Sequence, residues 1–456
     1  MATPGTTARR RRPTRGQLTQ HPVLILVVSL MALIAVGTGL LATDLATRGT
    51  HPAPLSVALF TSASSVCVTG LTVVDTTTYW SGFGHAVILV LAECGALAVM
   101  AAASLLALIV TGRLGLRSRL LAQSELNGVN RNTVKRVLVG TVLAAVSIEA
   151  VVAVVLALRL YFGYGESFSR SLWLGVFHSV SAFTNAGFSL WPRSLGAFAG
   201  DPYVLVPVLL AMIAGGLGLP VLLELARRRS PHAWSLHTRL TLLGTGVLLV
   251  AGPVLVTITE WHNARTIGTL PWGHRLAAGA FAGISPRSAG FQTFDYSHAA
   301  PSTLVTTEVL SIIGGGSAGT AGGMKVTTVA ILALAVAAEV RGHRDVDVMH
   351  RRIAESTIRQ AIAVAALTFL VVTTATLVLL ELTHWDLDNV LFETVSAVSS
   401  SGLSTGVTAT LDGAAQGVII LLMFLGRVGP IGAATALALH RDRRSFRYPE
   451  SRPIIG

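Results

Sequence analysis

The sequence predicts an all-α polytopic membrane protein. Its expected plan is four covalently linked span–pore-loop–span repeats, with eight transmembrane helices and four re-entrant half-helices around a pseudo-four-fold pore. Three observations predict this. The 456 residues are 52% hydrophobic and 12% charged, with a mean hydropathy of +0.66, whereas charged residues make up about a quarter of ordinary soluble domains. Apolar runs at 22–43, 85–111, 137–160, 203–225, 239–259, 302–340, 358–382 and 415–439 each reach the ~20 residues of a helical span. A Ser-bearing phrase closed by glycine and one large apolar residue recurs four times: Phe60 to Gly70-Leu71, Phe177 to Gly187-Phe188, Phe281 to Gly290-Phe291 and Phe392 to Gly402-Leu403.

In chain order, residues 1–21 read as a basic tail and 22–111 as the first repeat. The others follow at 112–226, 227–340 and 341–440, with a second basic tail at 441–456. The first apolar run exceeds the ~7–15 residues of a signal-peptide h-region, and a second span follows it. Of 34 Lys and Arg residues, 25 lie in the two tails and the loops near 113–136, 227–239 and 341–359. These five segments share one side if the spans alternate. That is the positive-inside bias, and it places both termini in the cytoplasm, where a polybasic surface also meets anionic membrane lipid. No aromatic platform accompanies the charge, so nucleic acid is not the expected partner.

Each repeat holds a helical run of about 12 residues, such as Ala53–Val66 or Leu387–Val398. That is too short to cross a bilayer and suits a half-helix that enters and turns back. Non-helical backbone at that depth needs protein or water around it, and four such turns at one axis supply that for one another. Glycine permits φ > 0 and close approach of neighbouring chains, so each turn can aim backbone carbonyls at a dehydrated cation. The half-helix C-termini add partial negative charge. The filter is therefore assigned to Cys67, Val68, Thr69 and Gly70; Thr184, Asn185, Ala186 and Gly187; Arg287, Ser288, Ala289 and Gly290; and Ser399, Ser400, Ser401 and Gly402.

Other chemistries lack their residues. Cys67 and Cys94 offer neither a disulfide framework nor a zinc site, and the thirteen histidines show no metal-ligand spacing. His178 reads as a packing or capping residue. Glu93, Glu149, Glu308 and Glu393 are dispersed and without partners, so no membrane enzyme is expected. Gly314, Gly316 and Gly319 match a dinucleotide fingerprint in spacing only, because no strand precedes them. Lys325 falls outside any Gly-Lys-Ser/Thr run.

The phrases VCVTGLTVVDT (66–76), HSVSAFTNAGFS (178–189), ISPRSAGFQT (284–293), SAVSSSGLSTG (396–406), GGGSAGTAGGMKVTT (314–328) and LGRVGPIG (425–432) resemble the Trk/Ktr/HKT superfamily of potassium transporters, in its KtrB-type branch. The resemblance spans about residues 20 to 445. It implies potassium uptake across a bacterial inner membrane by a homodimer on a cytoplasmic ring of nucleotide-binding regulatory subunits. It implies no bound cofactor; potassium is the transported ion and sodium a candidate activator. A TrkH-type potassium or sodium/potassium subunit is the alternative, set second because this chain begins directly with its first repeat. A structural or assembly protein is a further rival, but it has no use for four glycine-ended half-helices.

Six glycines between Gly314 and Gly323 cannot hold a helix at ~1 kcal/mol each relative to Ala. An unwound loop there is the expected gate, and the resemblance implies an intramembrane gating loop at the same place. The assigned residues are Gly314, Gly315, Gly316, Ser317, Gly319, Thr320, Gly322 and Gly323, with Lys325 and Arg427 beside them. Arg427 is a cation in the apolar last span, where charge is costly and usually functional. It is expected to bond the loop's carbonyls or Ser317. Arg287 is expected to turn away from the pore toward Asp295 or Glu308. Glu93, where relatives carry Gln, needs a partner of its own or must keep its proton.

Overall fold

The structure, a computed structural model, describes residues 22–112, 131–228, 230–287 and 289–439. Both basic tails, most of the 113–136 loop and the assigned filter residue Ser288 lie outside the described residues. Among the described residues the regular structure is helical apart from a two-stranded hairpin, β1 (Asp347–Val348) with β2 (Arg351–Arg352), at one loop.

Long and short helices alternate. Helix α1 (Pro22–Leu41) is followed by short α2 (Leu55–Val66), the one-turn α3 (Thr76–Tyr79) and long α4 (Gly82–Gly112). Next come α5 (Arg131–Tyr164), short α6 (Phe168–Thr184) and the pair α7 (Pro202–Leu217) and α8 (Leu219–Arg227). Then α9 (Leu236–Glu260) and short α10 (Trp272–Ile284) lead to α11 (Pro301–Ile312) and α12 (Val326–Val340). The chain closes with α13 (Glu355–Leu382), short α14 (Leu387–Ser399) and α15 (Gly413–Leu439). Prolines set several starts, Pro54 and Pro271 before α2 and α10 and Pro301 at the head of α11, where a missing N–H costs nothing.

Five described helices are long and apolar enough to cross a membrane, six if the bent α7–α8 pair is one span. The chain is a multi-pass membrane protein. The expected count of eight included 302–340, which divides into the 12-residue α11 and 15-residue α12. It also included 415–439, which lies within the 27-residue α15. One break escaped the sequence reading: the run at 203–225 bends by 100° between α7 and α8. The hinge is Gly218 at φ +88.

Burial inverts the soluble pattern. The Ser-bearing short helices form the interior: Phe60 to Val66, Phe177 to Ser179 and Phe392 to Ser399 are buried. Long helices turn Val28, Met31, Val36, Val151, Val250 and Phe369 outward. Apolar side chains suit a lipid-facing surface, and backbone that leaves the helix must be enclosed by protein or water.

Candidate functional site

The four phrase-ending glycines meet. All have φ between +63 and +87, a region that only glycine occupies freely. A Cβ on Gly70 would strike the carbonyl oxygen of Ala186, on Gly187 that of Ala289, on Gly290 that of Ser401, and on Gly402 that of Thr69. None of these oxygens would lie farther than 2.8 Å away. The contacts run from first segment to second, third, fourth and back to the first. They close a ring in which each bare Cα seats the next segment's carbonyl. Among the described residues no donor reaches the carbonyl oxygens of Thr69, Ala186, Ala289 or Ser401.

The short helices fix each segment alike. The amide before each glycine donates to a serine carbonyl near the helix end: Thr69 to Ser64 at 2.8 Å, Ala186 to Ser181 at 2.8 Å, Ala289 to Ser285 at 3.1 Å and Ser401 to Ser396 at 2.9 Å. This bond gives the recurring serine a place. The third copy closes one residue sooner and turns through Pro286. Val68, Asn185 and Ser400 each take φ between +52 and +61 two residues before their glycine. That strain persists where surrounding structure imposes it.

A second set of glycines was not singled out from the sequence. Gly95 of α4, Gly215 of α7 and Gly426 of α15 lie against the carbonyl oxygens of Val66, Phe183 and Val398, at or beside the short-helix ends. Each follows its ring glycine by roughly two dozen residues. That spacing was the signal available.

The Gly314–Gly323 loop is non-helical, between α11 and α12, and docks on the break in α7–α8. The amides of Gly316 and Thr320 donate to Gly216 and Gly215 carbonyls at 2.7 and 3.0 Å. Thr320 Oγ1 donates to Phe183 O at 3.1 Å and accepts from Asn185 Nδ2 at 2.6 Å. Gly322 lies against Ser399 O, so the loop also touches the fourth segment's helix. Arg427, 3% exposed, donates through Nη1 to Thr320 O, while its Nε and Nη2 find no partner among the described residues. Lys325 Nζ donates to Ala321 O at 2.6 Å. Ser317, the other partner anticipated for Arg427, instead pairs with Thr327 Oγ1 at 3.2 Å.

Three readings need correction. Arg287 does not pair with Asp295 or Glu308; its bond is Nη2 to Thr245 Oγ1 at a long 3.5 Å. Asp295 instead caps Ser297 and pairs with His298. Glu393 is not partnerless: it accepts from Ser404 Oγ at 2.5 Å, Thr405 N at 2.9 Å and Thr408 Oγ1, bracing the chain after the fourth ring segment. Glu93 and Glu149 are not dispersed; their carboxyls lie near each other between α4 and α5, with no hydrogen bond formed by either Glu93 oxygen among the described residues. Sequence separation hid these pairings.

His178 packs rather than ligates. Its ring stacks on Trp191, Nδ1 donates to Leu174 O at 2.8 Å, and Nε2 accepts from Leu190 N at 3.2 Å. Both cysteines are free, and the described residues hold no cluster of His, Cys, Asp and Glu suited to a metal.

Residues 3–448 match the family described as TrkH, a cation transport protein. The chain belongs to this family. It is 36% identical over 435 residues to the Ktr system potassium uptake protein B of Bacillus subtilis, covering 95% of this chain and 97% of that one. Identity is 33% to the Vibrio alginolyticus protein of the same name, over 88% of each chain. It is 32% to the potassium/sodium uptake protein NtpJ of Enterococcus hirae, over 95% and 97%. The solved structure of the potassium transporter TrkH from Vibrio parahaemolyticus shares the fold, with a TM-score of 0.71 at 18% identity over 94% of this chain and 86% of that chain. The family is one of transporters, not enzymes.

Proposed function

We propose that the chain is the potassium-translocating subunit of a Ktr-type uptake system in a bacterial inner membrane, with both termini cytoplasmic. The observation that carries this reading is the closed ring of glycine-seated carbonyls. Four carbonyls without donors, held at neighbouring segments, are the groups that replace a cation's hydration shell. Four span–pore-loop–span repeats and eight spans are the architecture that such a ring requires of one chain. The assigned filter residues supply the ring, and potassium moves down its electrochemical gradient with the membrane potential as driving force.

The Gly314–Gly323 loop is the gate. Arg427 holds it through Thr320 O, placing a positive charge against the conducting ion, and Lys325 adds a second cation nearby. A homodimer on a cytoplasmic ring of nucleotide-binding subunits would supply the force that moves the loop. Names of relatives support a system of more than one component: two are Ktr system potassium uptake proteins B. Sodium is proposed only as an activator. The name of the Enterococcus hirae relative favours a second reading, transport of both sodium and potassium.

Rescue of a potassium-uptake-deficient bacterium at submillimolar potassium tests the proposal, with a matched ring subunit present. Wild type should rescue, and Gly290→Ser at equal membrane expression should not, since its side chain would meet Ser401 O. Failure of wild type, or full rescue by Gly290→Ser, would refute the filter assignment.

A further inference from the structure

Arg287 belongs to the third filter segment through its backbone, and the proposed ion pathway has no use for its side-chain charge. Arg287 is 8% exposed, and among the described residues its Nε has no partner and its side chain makes one hydrogen bond, the 3.5 Å contact to Thr245. Among the described residues no carboxylate forms an ion pair with it. The side chain borders a small, partly enclosed cavity of about 30 Å³, lined also by Asn185, Gly216, Thr245, Ile284 and Gly315. By that measure one water needs roughly 10–15 Å³, so the space holds about two or three waters or one small ion.

A buried cation without a counter-charge is strongly disfavoured. Here it also stands three residues before Gly290 of the ring, where its field opposes any cation in the neighbouring backbone site. A second cation in the cavity would worsen both penalties; a neutral water would leave both nearly intact. One anion removes them together. The wall suits an anion: Thr245 Oγ1 accepts from Arg287, which leaves its own proton to donate.

We propose that the Arg287 cavity binds one small monovalent anion, chloride being the one of the right size and abundance, as a fixed counter-ion behind the third ring segment. The anion sits between ring and loop. Asn185 lines its cavity and also donates to Met212 O and Thr320 Oγ1, so occupancy steadies the second ring segment and the loop together. Binding does not depend on which cation the ring selects, so it is read without transport.

The test uses the purified full chain in potassium chloride, bromide or gluconate at equal ionic strength. Chloride and bromide should raise the melting temperature saturably, on the order of 2 °C, and gluconate should not. A bromide anomalous peak should lie beside Arg287. Arg287→Lys should keep part of the halide effect and Arg287→Met none. Thr245→Val should weaken half-saturation about tenfold, the size of one hydrogen bond to a charged group. Should Arg287→Met fail to fold, wild type, Arg287→Lys and Thr245→Val decide the matter. Halide-independent melting in wild type, water alone in the cavity, or a bromide peak without stabilisation (an adventitious ion only) would each overturn the proposal. So would a halide effect unchanged by Thr245→Val and Arg287→Met.

Discussion

The glycine ring and the Gly314–Gly323 loop are both glycine-built and non-helical, yet they are held in different ways. In the ring, bare Cα atoms fit against carbonyls of the adjoining segment, with no room for one more atom. The loop's glycines are seated as closely, Gly314 against Gly322 O and Gly322 against Ser399 O, but the loop is also held by identifiable side-chain bonds: the Thr320 hydroxyl, Lys325, and Arg427 from α15, beside two amides on the α7–α8 break. Close packing cannot yield by degrees, whereas a few hydrogen bonds can be broken and remade. A selective site needs the first property and a gate the second. Glycine substitutions should therefore act all-or-none, and substitutions of the loop's polar side-chain partners in graded steps.

The largest effect is expected at the ring. Gly402→Ala combines a φ of +77 with a Cβ against Thr69 O and should lower potassium uptake at least about tenfold, a barrier change of ~1.4 kcal/mol. Gly413→Ala, at a position open to space, should leave uptake unchanged. Equal uptake by both variants in a rubidium flux assay would break the comparison.

Next comes Arg427→Ala, which removes a charge-assisted bond to the loop. Such bonds contribute ~1.5–3 kcal/mol, so flux without the ring subunit should rise about tenfold or more. Liposome flux equal to wild type would mean that the loop is not held shut by this bond. Thr320→Val should act in the same direction but more weakly. It loses the neutral bonds to Phe183 O and Asn185 while keeping the backbone oxygen that Arg427 uses. About 1 kcal/mol predicts a few-fold rise, and an effect exceeding that of Arg427→Ala would invert the assigned order of importance.

The ring residues were legible in the sequence because one phrase recurs, and the loop because its composition forbids a helix. The turn lengths were visible too: the third copy is one residue short in sequence and closes one residue sooner in space. What stayed hidden depends on contacts between distant residues. Gly218 looked like one more small residue in an apolar run, and its break is meaningful only because the loop's amides use the carbonyls beside it. Gly95, Gly215 and Gly426 gain their role from helix ends that precede them in the chain. Glu393 is satisfied by residues 404–408, and Arg287 avoids the acids nearest to it in sequence. Local pattern identified the elements; it could not pair buried charges.

The smallest effect is expected where neither ring nor loop is touched. Asp201 caps α7 and accepts from Arg159 Nε and Tyr164 Oη, each at 2.8 Å. Burial alone would raise the Asp201 carboxyl, but these hydrogen bonds outweigh it and hold the group below the usual carboxylate range. A carboxylate depressed on folding stabilises the protein above its unfolded pKa, near 3.9, and loses that contribution as pH falls through the folded value. Asp201→Asn should therefore lower the melting temperature at pH 7 by on the order of 1 °C, since partly exposed ion pairs are weak. The gap to wild type should shrink below about pH 4. Flux per folded molecule should not change, because a polar contact remote from both regions has no ring to distort and no loop to release. A flux change matching that of Thr320→Val would show that graded control is not confined to the loop.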